Sequence, residues 1–290
     1  NISSALSAID FGSEAWTVSG TWTNASTDGT VWEAGTGSIL FDSATGGTMT
    51  FAGANLAEAE FSNVTFNSSA VASQTFTMAT RGLSWSGTLT ISGDTILAKV
   101  TFTLGAEASG ALTVGGAGTN ALTSTSGAVT VTTVSVSGTG DYIDLGSEAW
   151  SVSGTWTNAS TSASWDAGSG TVTFTSSSSV NMTFAGSNLA EDEFSNVTFD
   201  SSGTATFTMQ TRAIDWGGTL TMSDAGTTVD WNGLVITVQT GATLAAGTRD
   251  LMNFDQLNVD GTLTMDGIAV DNIDIDTDTG NIDITQWTLY

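Results

Sequence analysis

The chain of 290 residues has no Cys, no His and no Pro, and sets only 4 Lys+Arg against 29 Asp+Glu, a formal charge of −25. Each shortage excludes a class of protein. Without Cys there are no disulfide frameworks, thiolate zinc sites, iron–sulfur clusters or thiol nucleophiles. Without His there is no Ser-His-Asp triad, no His-ligated haem and none of the usual catalytic zinc sites. Four cations cannot neutralise a phosphate backbone, so nucleic acid is not expected as a partner. No apolar run reaches the length of a bilayer-spanning helix, and so negative a surface is repelled by anionic lipid. Membrane insertion is not expected.

What fills the chain is small and uncharged. Ser, Thr and Gly together account for 122 residues, while charged residues are 11%, well under the usual quarter. The 40% of hydrophobic residues is enough for a core, so this is not an acidic disordered chain. That balance predicts an extracellular β-protein with outward Thr and Ser ladders. Asn-x-Ser/Thr sequons at Asn1, Asn24, Asn63, Asn67, Asn158, Asn181 and Asn196 point the same way, as candidate glycosylation sites. No signal peptide stands at Asn1, which predicts a processed form, and there is no apolar pilin-type helix at the start.

The strongest signal is an internal repeat. IDFGSEAWTVSGTWTN at 9–24 returns as IDLGSEAWSVSGTWTN at 143–158, FAGANLAEAEFSNVTF at 51–66 as FAGSNLAEDEFSNVTF at 184–199, and FTMATRGLSWSGTLTIS from Phe76 as FTMQTRAIDWGGTLTMS from Phe207. The offset drifts from 134 to 131, so small insertions fall in turns. A repeat this long governs the whole fold argument.

Within each copy, runs such as SILFDS, GTMTFAG, FSNVTF and SGTLTIS alternate an apolar residue with Thr or Ser, which is strand patterning. Gly, Asn, Ser and Asp punctuate them as turns. Helical periodicity is nearly absent; NLAEAEF/NLAEDEF allows a turn or two at a corner. Three segments follow: a first β repeat at 1–142, a second copy of the repeated block at 143–223, and 224–290, which has no Ser and eleven Asp. The last reads as a cap or assembly segment, because an open solenoid end exposes unpaired strand edges. The predicted fold is all-β, a right-handed parallel β-solenoid of two related repeats, with tandem β-sandwiches as the alternative. Absence of Pro suits continuous strand ladders.

The succession AWTVSGTWTNAS, GTVTF, FSNVTF, WGGTLTM and VDWNGLVITV resembles the secreted β-strand-repeat proteins of microbial cell surfaces. The resemblance spans most of 9–240. It implies short strands coiled into a right-handed β-solenoid and a role in surface layers, adhesins or fibres, with no catalytic residues to carry over. Its members carry many short repeats, whereas this chain carries two long ones.

Few side chains form candidate sites. Of ten Trp, Trp16/Trp150, Trp22/Trp156, Trp32/Trp165 and Trp85/Trp216 pair through the repeat, leaving Trp231 and Trp287. Stacking on sugar rings is one reading; repeated core packing, shared with Phe41/Phe174, Phe61/Phe194, Phe66/Phe199 and Phe76/Phe207, is favoured. Arg81 and Arg212 occupy equivalent positions and are expected to meet nearby carboxylates as structural ion pairs. Asp274, Asp276, Asp278 and Asp283 around Gly280 have the alternation of a calcium loop but lack its closing Glu. A β-hairpin with Ile273, Ile275, Ile282 and Ile284 inward is the favoured alternative. Lys99, the single lysine, fits an edge strand better than a cross-strand isopeptide bond. Pairs such as Glu58/Glu60 and Glu191/Asp192/Glu193 lack the partners that glycoside hydrolysis needs.

The expected function is therefore structural and not enzymatic: an extracellular or cell-surface subunit that assembles with copies of itself into a filament, sheath or surface layer. Joining elements are expected in 1–10 and in the terminus ending ITQWTLY, with Trp287 and Tyr290 setting register. No cofactor is expected beyond calcium at the Asp-rich end. A polysaccharide-binding adhesin is the alternative.

Overall fold

A computed structural model describes residues 1–4, 9–26, 32–43, 47–51, 59–68, 74–79, 83–93, 98–102, 110–116, 118–125, 127–184, 192–201, 203–224, 226–247, 251–265 and 281–284. The described residues contain no helix. The first strands are β1 (Ile9–Asp10), β2 (Ala15–Val18), β3 (Trp22–Asn24), β4 (Trp32–Glu33), β5 (Ser38–Asp42), β6 (Gly47–Phe51), β7 (Asn63–Ser68), β8 (Gln74–Ala79) and β9 (Thr88–Gly93). Then come β10 (Ala98–Phe102), β11 (Ala111–Val114), β12 (Asn120–Ser124), β13 (Val129–Val131), β14 (Val134–Val136), β15 (Tyr142–Asp144), β16 (Trp150–Val152), β17 (Trp156–Asn158) and β18 (Thr171–Phe174). The last are β19 (Val180–Phe184), β20 (Asn196–Phe199), β21 (Ala205–Gln210), β22 (Thr219–Met222), β23 (Thr227–Val238), β24 (Thr243–Gly247), β25 (Leu251–Val259), β26 (Thr262–Met265) and β27 (Asn281–Ile284).

These strands stack into three long sheets. Sheet I runs β2-β5-β7-β9-β11-β14-β17-β19-β21-β23-β25, sheet II β15-β12-β10-β8-β6-β3, and sheet III β13-β16-β18-β20-β22-β24-β26-β27; β1 and β4 form a separate pair. Every pairing between them is parallel. From β11 to β17 the chain visits sheets I, II and III in strict rotation. The fold is a three-sided parallel β-solenoid. Tandem β-sandwiches are excluded, because their sheets are antiparallel.

The alternating sequence explains the layering. Along β9 and β22 the Thr residues stay partly exposed while Leu89, Ile91, Leu220 and Met222 are buried. Because the strands are parallel and in register, each inward residue sits on its equivalent in the next coil, and like side chains form columns. Phe41 stacks on Phe66 with centroids 5.0 Å apart, and Phe174 on Phe199 at 5.3 Å. Phe66–Phe76 and Phe199–Phe207 repeat a tilted contact at 5.1 and 5.0 Å.

The two copies do not lie on the same faces. β2, β5, β7 and β9 belong to sheet I, but their sequence equivalents β16, β18, β20 and β22 belong to sheet III. Likewise β3, β6 and β8 of sheet II correspond to β17, β19 and β21 of sheet I. The second copy is thus turned by one face relative to the first as it is translated along the axis. The boundary between the copies at 142/143 falls inside β15, and sheet I crosses it without interruption through the β14–β17 pairing.

Candidate functional site

Two features of the described residues are candidates for function: the N-terminal edge of the solenoid and a polar node inside each copy.

At the N-terminal edge, β2 begins sheet I and pairs on one side with β5. Its equivalent β16 pairs on both sides, with β18 above and β13 below, where Val129 lies opposite Trp150. The two Trp differ accordingly: Trp16 is 40% exposed and Trp150 is 1% exposed. Both indoles hold the same intramolecular bond, Trp16 Nε1 donating to the Phe11 carbonyl at 3.2 Å and Trp150 Nε1 to the Leu145 carbonyl at 3.1 Å. Among the described residues β2 has no strand in the place that β13 takes beside β16. Beside β2, Ile2 bridges β3 at Asn24 through two backbone hydrogen bonds of 2.8 Å, covering part of the neighbouring face.

The polar node of the second copy gathers around Glu193, which is fully buried. Arg212 donates to Glu193 Oε2 at 2.9 Å and to Asp215 Oδ2 at 2.8 Å, and its guanidinium lies 5.7 Å from the Phe184 ring centroid. Asn158 Nδ2 donates to Glu193 Oε1 at 2.8 Å, and Trp156 Nε1 reaches the same oxygen at 3.4 Å. The indole of Trp165 donates to the Glu193 backbone carbonyl at 2.9 Å. Thr211, at φ 77°, turns the chain just before Arg212, a conformation a β-branched residue adopts only when its surroundings hold it there. Burial pushes the Glu193 carboxyl up to about 7, against the pull of Arg212, Asn158 and Trp156, while Asp215 adds to the rise. Burial also raises Asp215, opposed by Arg212.

The first copy repeats the node with changes. Asn24 Nδ2 donates to the buried Glu60 Oε1 at 2.6 Å, and Trp32 Nε1 to the Glu60 carbonyl at 2.8 Å. Ser84 stands where the second copy has Asp215 and accepts the Glu60 N–H at 2.9 Å. Arg81 lies outside the described residues. The Glu60 and Glu193 carboxylates are sealed from solvent, and their bonds tie neighbouring coils together.

A surface cleft lies nearby, lined by Asp166, Gly168, Asp192, Ser195 and Gly217. Its carboxylates already have partners: Asp166 Oδ1 accepts the Gly168 N–H at 2.8 Å, and Asp192 Oδ1 accepts the Gln239 amide at 3.3 Å. Among the described residues no three acidic side chains converge in a way that would hold a metal.

The sequence candidates fall as follows. Trp22, Trp32, Trp85, Trp150, Trp156, Trp165, Trp216 and Trp231 are buried, in accord with the core reading. Arg212 meets the carboxylates expected of it. Of the sequon residues, Asn24 and Asn158 are buried with their amides on Glu60 and Glu193. Asn63 and Asn196 are half-buried, their Oδ1 accepting the N–H of Thr88 and Thr219 at 3.1 and 3.0 Å. Asn67 is half-buried, whereas Asn1 and Asn181 are exposed. Asp274, Asp276, Asp278, Trp287 and Tyr290 lie outside the described residues, as do Glu58, Glu191 and the NLAE corners. Asp283 is described by its backbone alone, in β27, which pairs in parallel with β26 as a further coil. Lys99 lies in β10, in register with Thr75 and Ala121 on its two sides, so its strand is an interior one.

Sequence reasoning missed the role of Asn24 and Asn158. The signal was present: in WTN, strand alternation puts Asn on the same inward side as Trp. The fold and these sites define a parallel β-solenoid with an internal duplication and, among the described residues, an open first edge. Comparison with protein-family models, curated proteins and solved structures finds no match.

Proposed function

We propose that the chain is an extracellular structural subunit that assembles end to end with copies of itself into a filament, sheath or surface layer. The observation that carries this reading is the contrast between β2 and β16: among the described residues the same coil is covered by a strand in the second copy and not in the first, where Trp16 is 40% exposed. Parallel ladders extend by adding a strand, and a heterologous contact that does not close on itself gives an open filament. The outward Thr and Ser ladders and the surface sequon at Asn181 support an extracellular setting. The open edge and buried node support a binding role without catalysis.

The charge of −25 opposes association, so joining requires salt or divalent cations to weaken the repulsion. Electron microscopy of the purified chain at low and high salt, with calcium and with a chelator, tests the reading. Ordered filaments or sheets are expected once the charge is screened; dispersed short rods in every condition would refute it. An adhesin that stacks a sugar on exposed Trp16 is the second reading, and it predicts a fluorescence change on adding polysaccharide without assembly.

A further inference from the structure

We infer that the joint between subunits is β2, and that a second copy of this chain covers it with a parallel strand placing an aliphatic side chain opposite Trp16. This inference rests on the assembly reading above and specifies its contact. It differs from the sequence expectation, which placed the joining elements in 1–10 and at the terminus.

The molecule contains a covered version of the same edge. Where β13 lies under β16, Val129, Thr130 and Val131 stand opposite Trp150, Ser151 and Val152. The Val129 N–H donates to the Ala149 carbonyl at 2.9 Å, and the Ser153 N–H donates to the Val131 carbonyl at 3.1 Å. Transferred through the repeat, Ala149 and Ser153 become Ala15 and Ser19, and Trp150 and Val152 become Trp16 and Val18. Ala15, Trp16, Thr17 and Ser19 are all exposed. An incoming strand would donate to the Ala15 carbonyl, accept from the Ser19 N–H, and set its first aliphatic residue on the indole face.

The occupant follows from what covers the second copy. β12, β13 and β14, the last strands of the first repeat, carry β15, β16 and β17, the first strands of the second. Inside one chain, then, the beginning of a repeat sits on the end of a repeat. The beginning of the first repeat offers nearly the same sequence, but β12–β14 of a second chain are already covered by its own β15–β17. The complement is therefore the far end of that chain's sheet I, where among the described residues β25 is the last strand and carries the inward Leu257 and Val259. The same main-chain pattern gives affinity and the Trp pocket gives register, as in other strand-addition contacts. Burial of Trp16 from 40% exposure toward the 1% of Trp150 is the energetic centre of the joint.

The test uses the whole chain in about 1 M salt, where the screening length falls to about 3 Å. Three proteins are compared by sedimentation: the unaltered chain, Trp16→Glu, and Ser19→Pro, which deletes the N–H aimed at the missing strand. Far-ultraviolet circular dichroism and the thermal midpoint check that each variant remains folded. Amide exchange at Thr17 and Ser19 locates the contact. The expected result is assembly of the unaltered chain with a blue shift of Trp emission and at least tenfold slower exchange at Thr17 and Ser19, and folded monomers for both variants. If the unaltered chain and both variants assemble alike, the joint lies elsewhere and this inference fails while the assembly reading stands. If the folded, unaltered chain stays monomeric in all salts, both fail. Protection of the Thr17 and Ser19 amides in the monomer would also overturn it, since the edge would already be covered from within; the Trp16 and Val18 amides face β5 and are protected in either case.

Discussion

Asn158 and Glu193 lie 35 residues apart in sequence and meet in the core at 2.8 Å, amide nitrogen to carboxylate oxygen. Asn24 and Glu60 make the same contact at 2.6 Å in the first copy. A buried carboxylate needs such donors, since an unsatisfied one carries its full desolvation cost. Asn158→Ala is therefore expected to lower stability by about 1–3 kcal/mol, and Asn24→Ala by a similar amount. Arg212→Leu removes the cation and should cost more, about 3–5 kcal/mol, because it strands a buried charge. Urea unfolding midpoints of the three variants check the order.

Stability should fall as pH rises through the range where Glu193 ionises. Its carboxyl is pushed up to about 7 in the folded chain from an ordinary 4.5, so the folded state holds this proton more tightly than the unfolded state. The contribution is fully present below about 4.5, declines as pH rises to about 7, and is lost above it. Asp215, also raised by burial, acts in the same direction. Glu193→Gln should flatten the pH dependence between those limits. The difference between wild-type and variant thermal midpoints across pH 4–8 isolates the effect; parallel curves would contradict it.

Two glycines with almost the same backbone should respond very differently to substitution. Gly12 and Gly168 have φ of +61° and +60°. A Cβ on Gly12 meets nothing within 4 Å, whereas one on Gly168 would run into the carbonyl of Gly146 in the coil below. Gly12→Ala should cost only the left-handed strain, roughly 1 kcal/mol. Gly168→Ala must also push two coils apart, and is expected to cost several times as much. Thermal midpoints measured on the monomer at low salt decide this.

Glycan occupancy should follow burial. Expressed in a glycosylating host, the chain is expected to carry a glycan at exposed Asn181 and none at Asn24 or Asn158, whose amide nitrogens already donate to Glu60 and Glu193. Site-resolved mass spectrometry of the folded protein is the measurement. A glycan found at Asn158 would mean that the node opens, or that modification precedes folding.

Much of the architecture was legible in the residues. Alternation in SGTLTIS and TFTM sets which side faces inward, and the paired Trp and Phe marked the core columns. The long repeat and the resemblance point to parallel stacking, with tandem sandwiches as the alternative. The hairpin expected at 273–284 is not what β27 forms, since it pairs in parallel with β26. What periodicity could not show is which face each copy occupies, because the turn by one face depends on how many coils fit between β2 and β16. The node was half visible: Arg212 had to meet an acid, but several acids were near in sequence, and burial alone singles out Glu193. Asn158 was hidden by its sequon, since one tripeptide serves both a glycan and an inward hydrogen bond.

The turn between copies also sets how the molecule meets anything flat. Equivalent features of the two halves, the Phe41–Phe66 and Phe174–Phe199 pairs among them, back onto sheets I and III respectively. Any outward Thr or Ser pattern that recurs in both halves is therefore aimed in two directions. A planar surface such as a mineral or a crystalline polysaccharide could engage that pattern in one half at a time. Soluble partners arriving from different sides could occupy both halves without touching. Duplication here multiplies the directions in which a feature points, and leaves its density on any one side unchanged.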